Sequence, residues 1–308
     1  MPIAHSIIDA NSLADFIPLN WDLPKPIHCE LLTRGMNDVY LVLDGNSTKW
    51  ALRVWRANFR SEKDVNFETN FLDFLHSNSI NVSPAIISKD GNFCKALSSI
   101  EGKRFCSIFK WVNGFSFGEK PKAEISFLVG QQLANMHNIA ENFVPNEVRD
   151  NNVSKKIKTE IPALLKMCRF RPDDLKWYPR AFEILDSTID KISTSNVRIG
   201  FTHGDFHVFN AFIEDGKTVL MDFDNCGKDF FIADINSFIW ANHYIGNIKE
   251  EINESFLEGY TSIRSLNDEE LRVMPIFYAA KEFRFLCGFA HNVNSVGHSP
   301  LLNPDLDW

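Results

Sequence analysis

His203-Gly204-Asp205-Phe206-His207-Val208-Phe209-Asn210 is followed, one short segment later, by Asp222-Phe223-Asp224. Each polar set comes after an apolar run, Arg198-Ile199-Gly200-Phe201-Thr202 and Thr218-Val219-Leu220-Met221, that reads as a short strand. Two strands therefore deliver two polar turns to one place. A carboxylate at Asp205 can accept a proton from a hydroxyl. An amide oxygen at Asn210 can bind a divalent cation, and Asp222 arrives at the end of the next strand. Two carboxylates and an amide oxygen suit Mg²⁺, which takes oxygen ligands and bridges phosphates.

Outward from this centre, the N-terminal third reads as sheet. Val39-Tyr40-Leu41-Val42-Leu43 and Lys49-Trp50-Ala51-Leu52-Arg53-Val54-Trp55 flank the turn signal Asp44-Gly45-Asn46, which predicts an antiparallel hairpin. Phe67, Phe71, Phe74 and Leu75 have helical spacing. Pro84-Ala85-Ile86-Ile87 and Phe105-Cys106-Ser107-Ile108-Phe109 read as further strands. Gly114-Phe115-Ser116-Phe117-Gly118 is a break, after which helical patterns dominate, most clearly over Ile125 to Ile139 and Met274 to His291. The expected class is α+β and bilobal. Residues 1–112 form an N-terminal antiparallel sheet with one main helix, and residues 113–308 a larger helical lobe carrying both polar turns. Ligand sites commonly lie between such lobes.

The spacing His203-Gly204-Asp205-x-x-x-x-Asn210 with Asp222-Phe223-Asp224 resembles the aminoglycoside phosphotransferase and choline kinase family, whose members are small-molecule kinases with a protein-kinase-like fold. The order of a strand-rich lobe and a helical lobe agrees with it along nearly the whole chain. The resemblance implies ATP, or GTP in its place, with Mg²⁺ as cofactors. It implies Asp205 as catalytic base, with Asn210 and Asp222 as metal ligands. Trp50-Ala51-Leu52-Arg53 stands where protein kinases carry V-A-I-K. Alternation puts Ala51 and Arg53 on one face, so Ala51 is implied to line the adenine pocket and Arg53 to meet the phosphates. Glu68 is the implied ion-pair partner of Arg53. Arg in place of Lys is a departure, since a guanidinium holds phosphate with a different geometry from an ammonium. Phe109-Lys110-Trp111-Val112-Asn113-Gly114 resembles the family's hinge, whose backbone is implied to hydrogen-bond adenine, with Phe109 and Trp111 as cofactor-binding positions. Thr33 to Asp38 sits where a phosphate loop is expected but holds one glycine, Gly35, and reads equally as an ordinary hairpin turn.

Three features favour a small acceptor over a protein. Gly204 replaces the Arg of H-R-D, and Asp224 replaces the Gly of D-F-G. Only residues 223–233 separate Asp222 from Asp234, which leaves little room for a peptide-docking segment. The implied function is transfer of the γ-phosphoryl group to the hydroxyl of a hydroxylated amine, an aminoglycoside-like or other antibiotic, or an amino alcohol. A metabolic kinase of choline or homoserine type is one alternative, and a non-catalytic pseudokinase regulator another. The acceptor is either neutral or cationic. Candidate contacts are His207, Asp224, Asp229, Trp240, His243 and Glu282, since carboxylates and an aromatic face suit an ammonium. Asp234 reads as the N-cap of a helix or, by the resemblance, as a hydrogen-bond partner of the catalytic loop.

Composition bounds the alternatives. A net charge of −8 over 308 residues lacks the basic excess of a nucleic-acid binder. The six cysteines form no C-x-x-C pair, which predicts reduced thiols and no zinc site. No signal peptide or membrane-length apolar run is legible, so a cytoplasmic protein without membrane partners is expected, as monomer or homodimer.

Overall fold

The computed structural model describes Ile3 and residues 5–192, 195–245 and 249–296. The chain divides into two compact units. The first takes Ser77 and the described residues before it, Val82–Asn113 and the described residues from Asn294 on, at the end of the last helix; the second takes Asn78–Asn81 and Gly114–Val293.

In the first unit, α1 (Ala10–Asn20) precedes β1 (His28–Arg34), β2 (Asn37–Leu43) and β3 (Lys49–Trp55). Then follow α2 (Glu62–Ser77), β4 (Lys95–Ser99) and β5 (Gly102–Lys110). The sheet runs β1-β2-β3-β5-β4 and is antiparallel throughout. Its central strands alternate as a one-sided sheet must: Tyr40 and Val42 of β2 and Leu52 and Val54 of β3 are buried on one core. Tyr40 faces Leu52 across the pair. Leu13, Ile17 and Trp21 of α1 and the turn after it close that core. This second helix was not expected. Its apolar residues recur every four positions, but Pro18 lies inside it and disguises it, and Asp9 caps its start by accepting from the Ser12 amide.

The expected strand Pro84–Ile87 is not formed. A single bridge joins Ala85 to Phe109, with the Ile86 amide donating to Ile108 and the Lys110 amide to Pro84. Pro84 has no N–H of its own to extend the ladder.

The second unit begins with β6 (Phe115–Ser116), α3 (Ala123–Ala140), α4 (Val153–Met167) and α5 (Pro172–Ile192). Four short strands follow: β7 (Ile199–Thr202), β8 (Ala211–Glu214), β9 (Lys217–Leu220) and β10 (Gly227–Phe230). Three helices complete it: α6 (Phe231–Ile245), α7 (Glu250–Ile263) and α8 (Asp268–Val296). Where two strands were expected, five occur, in a β6-β8-β9 sheet and a β7-β10 pair. The partners of β7 and β9 are only two to four residues long, too short to show a period in sequence. Helices α3 and α7 pack closely, because a Cβ on Gly130 would lie 2.1 Å from the Phe256 carbonyl oxygen. Among the described residues no helix is long and apolar enough to cross a membrane, and the six cysteines form no disulfide.

Candidate active site

The polar turn after β7 is built by hydrogen bonds to three other segments. His203 Nε2–H donates to the Met221 carbonyl at 2.7 Å, and the Met221 amide donates to the Asn210 carbonyl at 2.8 Å. These two bonds tie Asp205 and Asn210 to the segment that presents Asp222. The Asn210 side-chain Nδ2 donates to the Asp205 carbonyl at 2.9 Å, which fixes the amide and leaves its Oδ1 as the remaining acceptor.

Asp234 holds the other side of the turn. Its carboxylate accepts from the amides of His203 at 2.7 Å and Gly204 at 2.8 Å. It also accepts from His137 Nε2 at 3.1 Å, and Tyr260 Oη donates to His137 Nδ1 at 2.8 Å. A carboxylate cannot donate, so this chain fixes the neutral tautomer of His137; burial pushes that imidazole's pKa below its usual value, although Asp234 opposes the shift. The N-cap reading of Asp234 is overturned: α6 already begins at Phe231, and the carboxylate turns back to the loop. Gly204 has φ +83°, and a Cβ there would lie 2.0 Å from the Asn225 carbonyl oxygen. Only glycine fits both the left-handed backbone and that approach.

Asp205 faces Lys281 of α8, with Nζ 2.5 Å from Oδ1. Loss of solvation works against the carboxylate's charge. The Lys281 ammonium, aided by His207 and His203, outweighs it and holds the group well below the usual range. Asp222 is exposed and adopts φ 59°, ψ 64°, a left-handed conformation that Asp tolerates better than most residues. Asp224 is buried, and its carbonyl accepts from Arg149 at 2.7 Å. Among the described residues no group of three or more His, Cys, Asp or Glu side chains is arranged to hold a metal ion by itself. The oxygens of Asn210 and Asp222 instead suit a hard cation whose other ligands come from phosphate and water.

In the first unit, Arg53 of β3 donates to Glu68 of α2 at 2.6 Å, and Glu68 is buried. The guanidinium lies 5.1 Å from the Phe109 ring centroid and 5.5 Å from that of Trp55, contacts that favour a planar cation. Ala51 pairs with Phe109 across the strands, and Lys49 Nζ lies 5.7 Å from the Trp111 ring centroid. Gly35 has its amide bonded to the Asn37 carbonyl at 3.0 Å, and its own carbonyl accepts from Arg56 Nε at 2.9 Å. The turn is thus closed on itself.

The candidate acceptor contacts separate into groups. Trp240 donates to Glu282, and Lys281 Nζ lies 5.6 Å from the Trp240 ring centroid. His243 is exposed at the end of α6 and bonds Tyr278 at 3.2 Å and Glu250 at 3.1 Å. His207 stands in the loop, and its Nδ1 has no hydrogen-bond partner among the described residues. Asp229 is buried in β10 and lines a pocket with Gly204 and Lys281. Sequence reasoning missed Lys156, Lys281 and Arg284 of that pocket. A lysine that directly follows the apolar run Ile276-Phe277-Tyr278-Ala279-Ala280 was the available signal.

Burial pushes the Asp229 carboxyl up to about 8. The folded state therefore keeps a proton that the unfolded chain releases near its usual value of about 4. Stability from this group is full below about pH 4 and is lost as pH rises through about 8, with a slope of at most about 1.4 kcal/mol per pH unit. Urea unfolding at pH 5, 6.5 and 8 should show wild type losing stability relative to Asp229→Asn as pH rises. Parallel pH dependence in the two proteins would refute the buried neutral carboxyl.

An antiparallel sheet with an Arg53–Glu68 ion pair, and a helical unit with an Asp-bearing loop tied to a second acidic turn, are the parts of a protein-kinase-like phosphotransferase. The model of the phosphotransferase enzyme family, APH, matches residues 29–274. The chain belongs to that family. It is 26% identical over 268 residues to an uncharacterized protein of Synechocystis, covering 86% of this chain and 73% of that one. It is 25% identical over 289 residues to a homoserine kinase of Allorhizobium ampelinum, covering 92% and 85%. Among solved structures, amicoumacin kinase hAmiN in complex with AMP-PNP, Ca²⁺ and Ami superposes with a TM-score of 0.80 at 18% identity, covering 97% and 91%. The protein-kinase-like α+β fold expected from the sequence is thereby borne out.

Proposed function

We propose that this chain moves the γ-phosphoryl group of ATP to a hydroxyl of a small hydroxylated amine, with Asp205 as the base. The observation that carries the reading is the loop itself. His203, Asn210 and Asp234 lock the backbone on both sides of Asp205 and tie it to the Asp222 segment. Such preorganisation is what phosphoryl transfer asks of a protein, since catalysis there is mostly positioning and charge stabilisation.

The acceptor oxygen forms a bond to the γ-phosphorus as the bond from that phosphorus to the β–γ bridging oxygen breaks. ADP departs with the electron pair, and the hydroxyl proton passes to the Asp205 carboxylate. Asn210 Oδ1 and Asp222 would hold Mg²⁺, which supplies charge neutralisation at the phosphate oxygens when bound. Arg53, oriented by Glu68, would meet the α- and β-phosphates, and Ala51, Phe109 and Trp111 the adenine. Homoserine kinases among the relatives support an amine-bearing alcohol as acceptor. We place the reaction in the cytoplasm, where ATP is supplied and six free thiols stay reduced.

The test is ADP release from ATP and Mg²⁺ across a panel of amino alcohols, hydroxylated amino acids, sugars and aminoglycosides, with ³¹P NMR of the product. The expected result is stoichiometric phosphomonoester with at least one acceptor. Nucleotide binding with no acceptor-dependent ADP release across the panel would sink the proposal in favour of a regulator.

A further inference from the structure

The hydrogen bonds that shape the loop fix its backbone, and none of them reaches the Asp205 carboxylate. His203 Nε2–H is spent on the Met221 carbonyl, Asn210 Nδ2 bonds the Asp205 carbonyl, and Asp234 takes the His203 and Gly204 amides. The Asp205 side chain keeps its own torsions, χ1 and χ2. Among the described residues one group hydrogen-bonds that carboxylate: the Lys281 ammonium of α8, 2.5 Å from Oδ1. Oδ2 carries no hydrogen bond among the same residues.

Lys281 is itself held. A lysine stem is long and flexible, but this one is only 13% exposed, and its ammonium lies 5.6 Å from the Trp240 ring centroid. The Trp240 ring is buried and fixed from two sides. Its Nε1–H donates to Glu282, and it stacks on Tyr244 with centroids 4.8 Å apart and planes at 15°. An aromatic face on one side and a carboxylate on the other thus restrict the ammonium. An ion pair partly open to solvent adds little to stability. Its effect here is on direction: with Oδ1 engaged, the free oxygen of the carboxylate is Oδ2.

We propose that Lys281 is a positioning residue for the base, holding Asp205 Oδ1 so that Oδ2 is aimed at the acceptor hydroxyl. The proposal rests on the reading of Asp205 as base. In this role Lys281 acts through Asp205 alone. Its loss should slow the chemical step and leave nucleotide binding as it is.

The experiment is a double-mutant cycle. Lys281→Met keeps the apolar stem and removes the ammonium. It should lower kcat by roughly 10- to 100-fold, the scale of a misplaced reacting group, with KM for ATP and AMP-PNP affinity unchanged. In an Asp205→Asn background the same substitution should change kcat by no more than about twofold, because the base it positions is gone. A loss that repeats in full in that background would place Lys281 on the phosphate or the acceptor and overturn the positioning role. A wild-type kcat in Lys281→Met, beside a slow Asp205→Asn, would overturn that role alone. Asp205→Asn at the wild-type rate would sink the reading of Asp205 as base, and this inference with it. If Lys281→Met does not fold, Lys281→Gln takes its place. If no acceptor is turned over, crystal structures of wild type and the variant decide. The Asp205 carboxylate should hold one orientation in wild type and rotate or split in the variant. The same single orientation in both would overturn the inference.

Discussion

Asp205→Asn should lower kcat by about 10²- to 10⁴-fold, the usual contribution of a general base, while AMP-PNP affinity stays close to wild type. The substitution keeps the side chain's shape and removes its ability to take a proton. The loop should survive it, because the bonds that shape the loop come from His203, Asn210 and Asp234, not from the Asp205 carboxylate. The cost falls on Lys281, whose ammonium loses its charged partner at 2.5 Å. That pair is partly open to solvent, so the effect on folding should be modest. Steady-state kinetics with the best acceptor, paired with calorimetry for the nucleotide, checks both halves. Undiminished kcat would remove Asp205 from the role of base.

Asp234→Ala should cost more in stability than any other single change near the site. Its carboxylate serves three buried donors: the His203 amide, the Gly204 amide and His137 Nε2–H. Leaving a buried donor unsatisfied costs about 1–3 kcal/mol, so the sum reaches several kcal/mol, a large share of a domain's ordinary stability. The loss extends beyond the loop, since His137 and Tyr260 belong to α3 and α7. Activity should fall as well, through displacement of Asp205. Asp234→Asn keeps one acceptor oxygen and should recover part of the stability. Urea unfolding of the two variants and wild type measures this. An Asp234→Ala protein as stable as wild type would refute the clamp.

The parts of the molecule that sequence made legible share a reason. Strands β2 and β3 carry alternation over seven residues each, enough for the period to show. Asp205, Asn210 and Asp222 lie in fixed short spacings, and Arg53 and Glu68 sit on adjacent elements with a chemical reason to meet; they do, at 2.6 Å. What stayed hidden is long-range. Lys281 lies 76 positions from Asp205 along the chain, and no spacing rule spans that distance. Helix α1 was masked by Pro18, which lies in its last turn and removes one backbone donor from the helix. Pro84–Ile87 carried a strand-like composition without a strand's two free backbone edges. Among the proposed acceptor contacts, Trp240 and Glu282 were read as separate and bond to each other. Composition alone shows a carboxylate and an aromatic ring, not that one already satisfies the other.

The clamp on the loop has a consequence for protein engineering. The eight residues from His203 to Asn210 look like a cassette, but their shape is borrowed. Tyr260, His137 and Asp234 impose it from one side, and Met221 from the other. Only glycine fits at position 204, because the Asn225 carbonyl already fills the space a side chain would need. Grafted onto a foreign scaffold, the cassette would arrive without the groups that fold it. The smallest transplantable unit is the loop together with α3, α6, α7 and the β9-to-β10 connection.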